Sequence, residues 1–168
     1  MVYPIFAIEF AHIRVRSLFF MKRVGEYRKL LGVTADVTLA ELKLIYRNQM
    51  KLTHPDKFVN DEEGRIKAEE ESKIVIEAYH FLTSINPETH EANKEEFLET
   101  TTNSGIKDFY FEKRVLYIQH ENGINYEFLG VDKTVYVKMV NSDSIGRFAK
   151  RHIYGNYIYR KSSKAIQM

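Results

Sequence analysis

Cysteine and tryptophan are absent from this 168-residue chain, and proline occurs only three times. Without cysteine there is no disulfide, no thiolate nucleophile and no cysteine-ligated zinc site. The chain is compatible with a reducing compartment, and a cytoplasmic location is expected. Long apolar runs are also missing. The first twenty residues, MVYPIFAIEFAHIRVRSLFF, are rich in apolar side chains but interrupted by Glu9, His12, Arg14 and Arg16. No run approaches the ~18 residues a membrane-spanning helix needs, so no stable membrane span is expected. A basic start and a small-residue cleavage site are lacking, which argues against a signal peptide. For residues 1–25 three readings stay open: a strand or short helix packed on the body, a segment touching a membrane surface, or a start-site artefact ahead of Met21-Lys22-Arg23. The six histidines show no H-x-x-x-H spacing and no glycine-rich phosphate loop is present. No metal, no cofactor and no catalytic centre are therefore expected, and the chain does not read as an enzyme.

What is present describes a globular protein. Apolar residues make up 44% and charged residues 29%, too apolar for a disordered chain. The net charge of +2 conceals a segregation. Residues 1–25 carry four Lys/Arg against one acid, residues 26–100 ten against sixteen, and residues 101–168 eleven against six. Segments of opposite charge suggest different partners.

Two halves with different periodicity follow. A helical turn over Tyr27–Leu31 is stopped by Gly32. Thr38-Leu-Ala-Glu41 is a capping box that opens a helix running to about Thr53, with Leu39, Leu42, Ile45, Tyr46 and Met50 at helical spacing. A second long helix reads from about Arg65 to Ser84, with Val75, Ala78, Tyr79, Leu82 and Ile85 as its buried stripe and Asn86-Pro87 as its end. A polar helix over Glu88–Leu98 follows, and Thr100–Gly105 reads as a linker. Beyond it Ile106–Phe111 and Val115–His120 alternate as strands. Asn122-Gly123 signals a hairpin with both central residues at positive φ, and Ile124, Tyr126 and Phe128 line the returning strand. Lys133–Asn141 reads as a short helix, and Tyr157–Arg160 as a last strand. The predicted class is α+β: a helical hairpin, then a small domain of antiparallel strands and one short helix.

The helix-ending proline sits in Lys51-Leu-Thr-His-Pro-Asp-Lys-Phe58. Proline alone explains the stop, because the residue before it is pushed out of the α region. It does not explain Asp56, an acid next to a helix C-terminus where the dipole disfavours negative charge. On the preceding helix Lys43, Arg47 and Lys51 fall at i, i+4 and i+8 and form one narrow cationic stripe, which His54 and Lys57 extend into the corner. Such a stripe is either a solvated face or a surface for an acidic partner.

Four ordered blocks carry a family resemblance: Tyr27-Arg-Lys-Leu-Leu-Gly-Val33, Glu41-Leu-Lys-Leu-Ile-Tyr-Arg47, His54-Pro-Asp-Lys57 and Glu77-Ala-Tyr-His-Phe-Leu82. Together they resemble the J domain of the DnaJ family, over about residues 26–90. The resemblance implies a two-helix hairpin that docks on a DnaK-type chaperone and stimulates its ATP hydrolysis. It makes His54, Pro55 and Asp56 the triplet required for stimulation, and Lys43, Tyr46, Arg47, Lys51 and Lys57 contacts to the chaperone's acidic surface. Ser72 and Ile76 stand where the family has phenylalanine and asparagine, which puts the second helix's own contacts in question. No Gly/Phe-rich segment and no Cys-x-x-Cys repeats follow the corner, so the chain resembles the J-only class.

Residues 104–161 resemble the KTSC domain, named for a region at the C-terminus of some lysyl-tRNA synthetases. Asn122-Gly-Ile-Asn-Tyr-Glu-Phe128, Gly130-Val131, Ser144-Ile-Gly-Arg-Phe148 and Tyr157-Ile-Tyr-Arg160 carry it. The resemblance implies a small domain for which RNA binding is proposed. By residue type, Arg147, Lys150, Arg151 and Arg160 could pair phosphates while Tyr157 and Tyr159 stack bases. Strand tyrosines that simply pack, or a protein client, fit the same residues. The expected organisation is an N-terminal extension (1–25), a J domain (26–99), a linker (100–105) and a KTSC-like domain (106–163). A ribosome, an RNA or a protein client is the expected partner of the last.

Overall fold

A computed structural model describes residues 22–58 and 61–162, and the three readings of residues 1–21 lie outside them. The chain is α+β and divides into two compact units, Arg23–Ala92 and a second from Asn93 onward. Among the described residues no helix is long and apolar enough to cross a membrane.

The first unit is helical. Residues 22–31 form α1, starting earlier than Tyr27. Val24 on its first turn is buried, and Arg23 lies over the Phe81 ring while bonding Glu77 at 2.6 Å. Residues 23–25 therefore belong to the helical unit and not to an extension. Gly32, at φ +67°, ends α1 with paired bonds from Gly32 N–H to Lys29 and from Val33 N–H to Arg28. The left-handed conformation of this cap is why glycine stands there. α2 (Leu39–Thr53) opens with the predicted capping box: the Glu41 N–H donates to Thr38 Oγ1 and Glu41 Oε2 accepts from the Thr38 N–H. α3 (Glu62–Ser84) starts one turn earlier than predicted, because Asp61 caps it by accepting from Gly64 N–H. Leu42 of α2 and Ala68, Val75, Ala78, Phe81 and Leu82 of α3 are the buried apolar side chains of these two packed helices. Tyr79 is not in this core; it stacks on Tyr46 at 4.2 Å. Buried Asn86 closes the corner to α4 (Pro87–Ala92), donating to Val37 O and accepting from Glu88 N–H.

The second unit begins with α5 (Lys94–Asn103), so Thr100–Asn103 is helix where a linker was predicted. Phe97, Thr100 and Thr101 of α5 are buried, and Phe97 stacks on Tyr159 at 3.7 Å. The sheet is antiparallel in the order β1 (Ile106–Glu112), β2 (Val115–His120), β3 (Asn125–Leu129), β4 (Ile158–Lys161). Two short helices intervene, α6 (Lys133–Val140) and α7 (Ile145–His152), where one was predicted. Leu116, Ile118, Tyr126 and Phe128 form one core face with Phe97, Met139, Ala149 and Ile153. The hairpin turn with both central residues at positive φ is that of β1–β2, at Lys113 and Arg114, and not Asn122-Gly123. There only Gly123 has positive φ; Asn122 accepts from Ile124 N–H and donates to Thr100 Oγ1, closing a longer loop.

His120 ends β2 fully buried against the rings of Tyr126 and Tyr154. Burial lowers its basicity below the ordinary 6.5 and outweighs the opposing backbone of Ser104 and Gly105. A depressed native value means the unfolded chain binds the proton first. The contribution to stability is complete above about pH 6.5 and declines as pH falls. Protection factors of the β2–β3 amides, taken against the intrinsic exchange rate at each pH, are expected to fall on acidification, and His120→Leu to flatten that dependence. An unchanged pH slope in the variant would show that other groups set it.

Candidate functional site

The corner after α2 is built by its own backbone. His54 is extended at ψ 128°, as a residue before proline must be. Pro55–Lys57 then forms a single 3-10 turn, with Lys57 N–H donating to His54 O and Phe58 N–H to Pro55 O. His54 Nδ1 accepts the Asp56 N–H at 3.3 Å and lies 3.4 Å from Asp56 Oδ2. The chain thus stops one helix and starts a new turn, with Asp56 on its first residues and beside a histidine. That corrects the expectation that the position gives Asp56 nothing locally. The Asp56 side chain is nonetheless 88% exposed and that of His54 49%.

Neighbouring elements fix the corner. Ser72 of α3, buried at the helix interface, donates its hydroxyl to Thr53 O at 2.8 Å. It satisfies a carbonyl that the last turn of α2 would leave orphaned, which gives the departure from phenylalanine a local role. Gln49 reaches across to Leu30 O, and the Tyr46–Tyr79 stack holds α2 against α3. Lys43, Arg47 and Lys51 are all exposed and make no ion pair among the described residues. Tyr46, Arg47, Met50, Lys51, His54 and Lys57 line one open groove. Five of the eight predicted docking residues therefore share that groove, with Lys43 one turn before it on α2 and Pro55 and Asp56 in the corner. Met50, one of the apolar positions at helical spacing, is half-buried and contributes apolar surface to the groove. The acids of α3 are partly consumed internally: Glu62 pairs with Arg65 and Glu69 with Lys73, holding both carboxyls below the usual range.

The six residues predicted for RNA are not gathered. Arg160 is bonded to buried Glu127 at 2.6 Å, and Tyr159 is stacked within the core on Phe97. Tyr157 packs against the same core. These three are structural, because their charge or ring faces are already used. Lys150 donates to Thr102 O. Arg147 and Arg151 remain exposed on α7, one turn apart, where with Ser142, Asp143, Ser144, Phe148 and His152 they line a shallow depression. Tyr126 and Phe128 of the Tyr-x-Phe pattern are core, and burial pushes the Tyr126 phenol up to about 12.

The described residues thus combine a capped helical hairpin that bears an exposed His-Pro-Asp turn with a small antiparallel sheet. The family comparison agrees: the chain carries a DnaJ domain over residues 26–92 followed by a KTSC domain over residues 102–157. The DnaJ match ends where the first unit ends, at residue 92. Among curated proteins, the chaperone protein DnaJ of Staphylococcus carnosus is 40% identical over 72 residues, 43% of this chain and 17% of that protein. The DnaJ of Gloeothece citriformis is 40% identical over 81 residues, 48% of this chain and 20% of that protein. A tetratricopeptide repeat and J domain-containing co-chaperone of Fusarium oxysporum is 33% identical over 73 residues, 44% of this chain and 13% of that protein. The chain spans about a fifth or less of each of these relatives. J-domain similarity to DnaJ chaperones supports a co-chaperone role.

Proposed function

We propose that the first unit docks α2 on a DnaK-type chaperone, that His54-Pro55-Asp56 triggers its ATP hydrolysis, and that the second unit brings the complex to a client or an RNA. The observation that carries this reading is the corner itself. An exposed acid and imidazole are held by a 3-10 turn at the end of an exposed cationic row that makes no ion pair among the described residues. A row of this kind steers an acidic partner and fixes its orientation, while the turn presents groups that need little reordering on contact. No covalent chemistry is asked of the chain; it acts through its partner's nucleotide site.

Charge reversal tests the docking half. Replacing Lys43, Arg47 and Lys51 by Glu is expected to weaken binding to the ATP-bound chaperone by roughly tenfold or more at low salt. The difference should shrink as salt rises toward ~1 M, where the screening length is about 3 Å. Equal affinities at low salt would remove the row from the interface.

A second reading, RNA binding by the second unit, is favoured by one observation: Arg147 and Arg151 project one turn apart beside Phe148. If phosphates bind there, retention of the chain on a structured RNA falls steeply with salt, and Arg147→Glu with Arg151→Glu abolishes it. Retention that is indifferent to salt, or to both substitutions, would leave the client reading.

A further inference from the structure

α2 carries a second exposed row beside the cationic one. Leu44, Asn48 and Leu52 follow Lys43, Arg47 and Lys51 by one residue each, again at i, i+4 and i+8. With about 100° per residue, Lys43, Arg47 and Lys51 lie about 100–180° round α2 from buried Leu42, Leu44 about 160° from it on the other side, and Leu52 about 80° from it on that same side. Leu52 is 71% and Leu44 60% exposed, the two most exposed of the large apolar side chains among the described residues. A single exposed leucine asks for no explanation. Two on one helical face do, because lysine or glutamate would serve the helix as well without the apolar exposure.

We propose that Leu44 and Leu52 are apolar anchors of the docking face, and that the surface they meet on the DnaK-type chaperone is an apolar patch bordered by acids. This rests on the reading of α2 as the docking helix. Charge selects the occupant. A second copy of this chain meeting α2 about a two-fold axis would set Lys43, Arg47 and Lys51 against their own equivalents. An acid-bordered partner meets the same face with opposite charge. The cationic row lies between two apolar sets: the groove of Tyr46, Met50 and His54 runs along one side of it, and Leu44 and Leu52 run along the other. Apolar anchors that become buried beside charged groups that fix register are how specific interfaces are built. The two rows then divide the work: cations govern encounter and its salt dependence, leucines govern residence.

The test uses the full chain with Leu44→Gln and Leu52→Gln together, changes that keep helix propensity and touch no buried residue. Binding to the ATP-bound chaperone of the same organism and single-turnover hydrolysis are both followed against co-chaperone concentration. The expected result is a rise of about tenfold in the half-maximal concentration, with the saturated rate and the salt slope unchanged. If the unmodified chain binds and stimulates but the double variant matches it, this inference falls and the docking reading stands. If the unmodified chain neither binds nor stimulates, both fall. A concentration-dependent dimer of the chain that the double variant dissolves, with chaperone affinity intact, would assign the leucines to self-association and overturn the proposal.

Discussion

Asp56→Asn is expected to bind the chaperone and fail to stimulate it, leaving single-turnover ATP hydrolysis at the rate of the chaperone alone even at saturation. The substitution is nearly isosteric, and 88% of the side chain is exposed, so the helical unit has no reason to unfold. What changes is one negative charge held on a rigid turn. Asp56 contributes no buried contact, and its local partner is the neighbouring His54 ring. An effect as large as complete loss of stimulation must then arise in the complex. A variant that stimulates normally would show that the corner is only a helix stop. A variant with an altered melting temperature would assign the loss to folding.

Phe97→Ala is expected to cost the second unit ~3–5 kcal/mol, the range for emptying a large aromatic site. Phe97 is the residue through which α5 enters that core. It stacks on Tyr159 at 3.7 Å and meets Tyr126 edge-on at 5.1 Å. Its loss should speed hydrogen exchange across β2, β3 and β4 while leaving α2 and α3 protected. Chaperone stimulation by the first unit should survive. Uniform loss of protection in both units would mean that they fold as one cooperative body. An effect below ~1 kcal/mol would place α5 outside the core.

The two substitutions bear on parts of the chain that differed in how well the sequence could be read. The first unit was legible because its signals are local. A capping box, a left-handed glycine and a pre-proline stop each act within four residues, and the structure contains all three. The α+β class, helical first and antiparallel strands after, was also read correctly. The misreadings are of tertiary origin. Thr100–Asn103 has poor helix propensity and looked like a linker; packing of Phe97, Thr100 and Thr101 makes it the end of α5. α7 is only eight residues long and contains Gly146, so its periodicity was too short to register.

The second hairpin was misread for a related reason. Asn122-Gly123 is the sequence signature of a two-residue turn, but Asn122 is drawn into bonds with Thr100 and Ile124. The two-residue turn occurs instead at Lys113-Arg114, where positive φ is imposed on residues with no preference for it. The stacked cross-strand pair Tyr110–Tyr117, centroids 4.2 Å apart, supports that register. Among the candidate RNA contacts, residue type identified basic and aromatic side chains but could not show that Glu127 and Phe97 had already engaged Arg160 and Tyr159.

The most direct measurement is single-turnover ATP hydrolysis by a DnaK-type chaperone with saturating full-length chain, unmodified and as His54→Gln. The unmodified chain should accelerate hydrolysis and the variant should leave the rate of the chaperone alone. No acceleration by the unmodified chain, or equal acceleration by both, would contradict the assignment of the His54-Pro55-Asp56 turn as the working end of this protein.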